Sequence, residues 1–133
     1  MNKVEHIGIA VKNLKDASSL YERLLGVKSY KQEVVDSEFV ITEFFKAGDT
    51  KIELLEASSE KSAIASFIEK RGEGIHHIAF AVDDIIAEMQ RLKSEGFQLL
   101  NEAPKRGADN KLVCFVHPKS ANGVLVELCQ EIS

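Results

Sequence analysis

The sequence predicts an α+β fold: two tandem β-α-β-β-β modules forming one curved mixed sheet around a metal cleft. Three observations predict it. The first is an internal repeat. Residues 4–14 (VEHIGIAVKNL) align without a gap on residues 75–85 (IHHIAFAVDDI) at an offset of 71, so that His6 falls on His77, Ala10 on Ala81, Val11 on Val82 and Leu14 on Ile85. The second is a later pair at an offset of 74, residues 51–55 (KIELL) on 125–129 (LVELC), which sets Glu53 on Glu127. The third is that each copy of the first segment reads as a strand followed by a polar helix start. A repeat on this scale decides the architecture ahead of any local signal.

The elements follow in order. Residues 4–11 alternate as a strand, with His6, Gly8 and Ala10 on one face and Ile7, Ile9 and Val11 on the other. Asn13 caps a helix through Leu25, with Ala17, Leu20, Tyr21, Leu24 and Leu25 as its apolar stripe and Gly26 as its stop. Strands are expected over 27–35, 38–46 and 51–56, with a turn at 47–50, and the first module covers 1–57. The connection, 58–72, holds a short helix capped by Ser62 whose apolar face is Ile64, Phe67 and Ile68. The second module, 73–133, starts with a strand over 75–82. A helix capped by Asp83 or Asp84 follows, carrying Ile85, Met89 and Leu92 and closed by Gly96. A short strand over 97–100, a polar loop over 101–110 and a strand over 111–116 come next. The turn at 117–123 contains Pro118, and residues 124–129 close the sheet.

At 133 residues the chain is read as a single domain, and 44% apolar composition excludes a disordered one. A formal net charge of −4 argues against a general nucleic-acid surface. The positive charges gather locally at Lys105, Arg106, Lys111 and Lys119. No apolar run is long enough for a membrane span or a signal core, so no membrane partner is expected and the chain reads as cytoplasmic. Cys114 and Cys129, without Cys-x-x-Cys spacing, read as buried reduced thiols.

The candidate site comes from the repeat. His6 and His77 hold the same place in two copies of one unit, as do Glu53 and Glu127. A lone strand histidine is ordinarily a core or surface residue, and a strand glutamate ordinarily a solvated one. Four such residues at matching places, each with apolar neighbours, point to ligands instead. Two imidazoles and two carboxylates suit a divalent first-row ion that keeps open positions for water or substrate. His76, which aligns with Glu5, reads as a surface residue, and His117 in its His-Pro-Lys turn reads as structural.

These stretches resemble the vicinal-oxygen-chelate (glyoxalase/bleomycin-resistance) superfamily over essentially the whole chain, from His6 to Glu127. Gly72-Glu73-Gly74-Ile75-His76-His77, His117-Pro118-Lys119 and Gly123-Val124-Leu125-Val126-Glu127-Leu128 narrow the resemblance to its methylmalonyl-CoA epimerase family. The resemblance implies a glyoxalase-like fold and a metal-dependent isomerase. Such an enzyme interconverts (R)- and (S)-methylmalonyl-CoA by moving the proton next to the thioester through a metal-stabilised enolate. It implies His6, Glu53, His77 and Glu127 as ligands of a divalent ion, with Co2+ the first choice over Ni2+, Mn2+ or Zn2+. It also implies an acyl-CoA substrate and a homodimer. Glu127 matches the family position that is both ligand and acid/base. The family's second base aligns with Thr42, next to Glu43; Glu43 is taken as the catalytic residue on condition that its strand bulges or that the alignment is one residue out of register. Glyoxalase I, which has the same ligand set, is the alternative, followed by a non-catalytic binding protein of this fold. Lys105, Arg106, Lys111 and Lys119 are candidates to meet coenzyme A phosphates.

Overall fold

A computed structural model describes residues 1–132; Ser133, the last residue of the expected second module, lies outside the described residues. The chain divides into two compact units, one of residues 6–76 and one that joins residues 1–5 to 77–133.

In the unit of residues 6–76, β1 (Lys3–Ala10, from His6 onward) lies parallel to β4 (Thr50–Ala57). Strand β4 is antiparallel to β3 (Val40–Ala47), and β3 to β2 (Lys31–Val35), in the order β2-β3-β4-β1. Helix α1 (Leu14–Leu25) crosses over between β1 and β2. Leu14, Val11, Phe45 and Leu54 form the core beneath it, with Ala17, Tyr21 and Leu25 packed against them. Asn13 caps α1 by accepting the Asp16 N–H, and Gly26, at φ 73°, ends it in the left-handed conformation that glycine adopts without a Cβ clash. Helix α2 (Ala63–Arg71), capped by Ser62, sets Ile64 and Ile68 against Ala10, Val40 and Leu55.

The other unit repeats this plan. Strand β5 (Gly74–Ala81, from His77 onward) is parallel to β8 (Val126–Glu131), β8 antiparallel to β7 (Lys111–Val116), and β7 to the two-residue β6 (Lys105–Arg106). Helix α3 (Ile85–Ser94), capped by Asp84, buries Ile85, Met89 and Leu92 against Val82, Cys114, Val116 and Leu128. The N-terminus belongs to this unit: Asn2 N–H donates to the Ala81 carbonyl.

The repeat extends into details that no motif carries. Val11 N–H donates to Leu55 O and Val82 N–H to Cys129 O, extending each parallel ladder by one rung. The first N–H of α1, on Leu14, donates to the Glu56 carboxylate at 2.6 Å; that of α3, on Ile85, donates to the Gln130 amide oxygen at 2.8 Å. Both acceptors satisfy a helix-end donor that has no partner within its own helix.

Several boundaries differ from expectation. Leu20 and Leu24 are exposed at 49% and 68%, so the apolar stripe of α1 is narrower than its leucine content implies. The strand expected at 97–100 is reduced to a bridge between Leu99 and Val116, because the Asn101 side chain takes the Phe115 N–H that would extend the ladder. The third strand next to β7 is instead β6, within the segment expected as a loop. A tight turn at Asp36–Glu38 separates β2 from β3. Among the described residues no helix is long and apolar enough to cross a membrane.

Because Glu56 brings a charge to a helix N-terminus and Gln130 a neutral oxygen, the two should differ in worth. Glu56→Ala should cost about 2 kcal/mol and Gln130→Ala about 1 kcal/mol in urea unfolding. Equal costs would remove the charge–dipole account.

Candidate active site

The residues singled out by the repeat are buried, and each unit brings its own pair together. In the unit of residues 6–76, Glu53 pairs in the ladder with Gly8, which shares a face with His6. The His6 Nδ1 lies 3.1 Å from Glu53 Oε2. In the other unit Glu127 pairs with Ala79, two residues along from His77, and His77 Nε2 lies 3.3 Å from Glu127 Oε1. Gly8 and Ala79 are again 71 apart, so the two parallel ladders share one register. Small residues opposite both carboxylates leave room above the sheet. Relative exposures of 5% for His6 and Glu53 and 6% for His77 and Glu127 leave little water to solvate a charge. Carboxylates so placed need a cationic or hydrogen-bonding partner, and each has an imidazole.

The cross-strand neighbour of each glutamate is also repeated: Phe44 opposite Glu53 and Phe115 opposite Glu127. The Phe115 ring meets His77 edge-on at 6.1 Å. Neither phenylalanine was singled out in the sequence, although the two are separated by the same 71 residues as the histidines.

Glu43 does not join this face. Strand β3 pairs with β4 without a bulge from Val40 to Ala47, so Thr42 and Phe44 share the face of Glu53 while Glu43, opposite Leu54, turns to the side of α1. There it accepts a hydrogen bond from Gln32 Nε2 at 2.8 Å and lines a cavity of about 520 Å³ with Asn13, Ser18, Glu22 and Glu56. The strand bulge that would turn Glu43 to the face of Glu53 is absent from β3.

Other readings are corrected in the same way. His76 is half-buried rather than a surface residue: its ring lies 5.1 Å from Phe67 of α2, and burial lowers its pKa below the usual histidine value. Lys111 is buried at 6% exposure, with Nζ 3.5 Å from Asp109 Oδ2 and 3.9 Å from Glu131 Oε1, which withdraws it from the exposed basic cluster. Glu73 of the glycine-rich motif accepts the Lys12 N–H at 2.7 Å. His117 caps its own turn by accepting the Lys119 N–H on Nδ1 at 3.0 Å, in keeping with the structural role expected of it.

Residues 5–115 match the model of the Glyoxalase/Bleomycin resistance protein/Dioxygenase superfamily. The ethylmalonyl-CoA/methylmalonyl-CoA epimerase of Cereibacter sphaeroides is 42% identical to this chain over 98% of both sequences. YqjC of Bacillus subtilis (strain 168), described as an uncharacterized protein, is 44% identical over 98% of this chain and 93% of its own. Among solved structures, a variant of Streptomyces coelicolor methylmalonyl-CoA epimerase in complex with 2-nitronate-propionyl-CoA superposes with a TM-score of 0.95 at 32% identity, covering 100% of this chain and 96% of that one. The fold is thus glyoxalase-like. The chain belongs to the glyoxalase/bleomycin-resistance superfamily and, within it, to the methylmalonyl-CoA epimerase family of isomerases.

Neither cysteine is in a disulfide. Both are free and buried, and burial raises the Cys114 thiol above its usual pKa. A thiol reagent such as DTNB should therefore leave the native protein unmodified near neutral pH and titrate both cysteines in denaturant. Rapid labelling of the native protein would contradict their placement.

Proposed function

We propose that this chain is a metal-dependent epimerase that interconverts (R)- and (S)-methylmalonyl-CoA. In this reading residues 1–133 act as one vicinal-oxygen-chelate domain whose His6, Glu53, His77 and Glu127 bind one divalent cation. The observation that carries the reading is the repeated pair: a buried imidazole against a buried carboxylate, at the same register in each parallel ladder. The donor set suits a first-row divalent ion, Co2+ first and Ni2+, Mn2+ or Zn2+ after it, since nitrogen and carboxylate oxygen are borderline and hard ligands respectively. Such an ion, when bound, supplies Lewis-acid polarisation of a carbonyl oxygen.

The chain's own residues supply the rest. The Glu127 carboxylate takes the proton from the carbon next to the thioester and returns it, within hydrogen-bond reach of that carbon. His77 holds the carboxylate in place through its 3.3 Å contact. The Phe115 ring and the small Ala79 side chain bound the space with apolar surface, which keeps water from competing for the proton. Inversion requires a group on the opposite face of the carbon. Glu43 turns toward α1 and away from the proposed ligand face, on which Thr42 offers a hydroxyl rather than a carboxylate. The family resemblance extends the reading to a cytoplasmic homodimer, which light scattering checks for size.

Incubating the metal-loaded protein with one epimer of methylmalonyl-CoA in deuterated water should wash deuterium into the position next to the thioester. Turnover of the methylglyoxal–glutathione adduct without that exchange would assign the chain to glyoxalase I chemistry. Two variants separate the glutamates. Glu127→Gln should lower exchange by about 10² or more, since an amide cannot accept the proton, whereas Glu43→Gln should exchange at close to the wild-type rate. A collapse of exchange in Glu43→Gln would restore that residue to the mechanism. Mass spectrometry of the native protein should find a single divalent ion per chain, and His77→Ala should lose it.

A further inference from the structure

The repeat reaches one residue type further, to a lysine on each ligand face. In β2, Lys31 pairs with Phe44 and puts its Nζ 4.9 Å from the centre of that ring. In β6, Lys105 pairs with Val113 and puts its Nζ 6.0 Å from the centre of the Phe115 ring. Lys31 and Lys105 are 74 residues apart, the offset that relates Glu53 to Glu127. In both units, then, a cation stands over the phenylalanine that lies opposite the buried glutamate.

The shape of β6 shows why Lys105 differs from the basic residues around it. The strand consists of Lys105 and Arg106 alone, and pairing with β7 sends their side chains to opposite faces. Lys105 shares the face of Val113, Phe115 and Glu127. Arg106 shares the face of Leu112, which packs with the α3 core, and its guanidinium donates to Asn110. Their adjacency in sequence suggests one patch; the strand divides it. A cation over an aromatic face is held by the ring's quadrupole. Lys105 is exposed, and the Phe115 ring it stands over is the one that meets His77 edge-on. Lys31 shares its charge with Glu33, whose Oε1 is 3.3 Å away.

We infer that Lys105 is a substrate-recognition residue that binds an anionic oxygen group of the acyl-CoA, with Lys31 as the matching and weaker cation of the other unit. The inference rests on the acyl-CoA reading above. The acyl carboxylate and the coenzyme A phosphates share the chemistry that a lysine recognises, and the experiment separates them.

Steady-state kinetics of Lys105→Met should show KM for methylmalonyl-CoA raised about tenfold, the loss of roughly one charge-assisted hydrogen bond, with kcat little changed. Lys105→Arg should recover most of the loss, and Lys31→Met should raise KM less than Lys105→Met. The same variants are then assayed on methylmalonyl-pantetheine, which lacks the nucleotide phosphates. A KM difference that persists there assigns Lys105 to the acyl carboxylate, and one that disappears assigns it to the phosphates. Unchanged KM on the full coenzyme A ester, or a fall in kcat alone, would overturn the inference while the epimerase reading stood. A wild-type protein that neither binds nor exchanges methylmalonyl-CoA would instead overturn that parent reading.

Discussion

The register of the two parallel strand pairs is the constraint on which the site depends. Gly8 against Glu53 and Ala79 against Glu127 set each carboxylate on the face that carries a histidine. Side chains alternate along a strand, so a slip of one residue would turn the glutamate into the helix-side core and bring a leucine to the histidine. Each register is held from both sides. The apolar residues flanking each glutamate in alternation, Ile52 and Leu54 in one ladder and Leu128 in the other, pack under α1 and α3. Glu56 and Gln130, beyond the carboxylates, tie the helix starts to the same strands. A slip would cost both the apolar burial and the cap.

The same alternation sets the cost of the site. Four ionisable side chains lie at 5–6% exposure on strands whose other faces are apolar core. Burying a carboxylate without a partner is unfavourable by several kcal/mol, and pairing with an imidazole offsets only part of that. The strands therefore hold these groups against their own solvation, with the clusters around Leu54 and Leu128 as the opposing stabilisation. A bound divalent cation would relieve this debt directly. That is why the proposed metal bears on stability as well as on chemistry.

Much of this was legible in the sequence because a repeat fixes equivalences without any geometry. The two His–Glu pairs, the caps at Asn13, Ser62 and Asp84 and the β-α-β-β-β order are all visible as spacing and cap chemistry. What stayed hidden was decided by tertiary choice. Leu20 and Leu24 have the period of a buried stripe, yet the α1 residues packed on the core are Leu14, Ala17, Tyr21 and Leu25, and the two leucines stand exposed. Lys111 looks like one more surface cation, but its strand position buries it and Asp109 and Glu131 neutralise it. The ladder near residue 99 yields to a side chain, Asn101, whose competing hydrogen bond no periodicity reports.

Where the repeat fails is as informative as where it holds. Across the two units Glu43 corresponds to Cys114, since each pairs with the leucine that follows the buried glutamate in its ladder, Leu54 and Leu128. Cys114 is fully buried in an apolar cluster, whereas Glu43 lies beside a cavity and is held by Gln32. The position thus tolerates a small apolar group in one unit and a carboxylate in the other, both facing a helix. Its neighbour on the face of the buried glutamates, Thr42, corresponds to Val113, two residues of nearly equal volume that differ by a hydroxyl. In the proposed epimerisation, Glu43 thus stands on the opposite side of its strand from the face that carries Glu53. The face of the His–Glu pairs differs between the units in charge as well as in this hydroxyl, since Lys51, paired with His6 and two residues from Glu53, corresponds to Leu125.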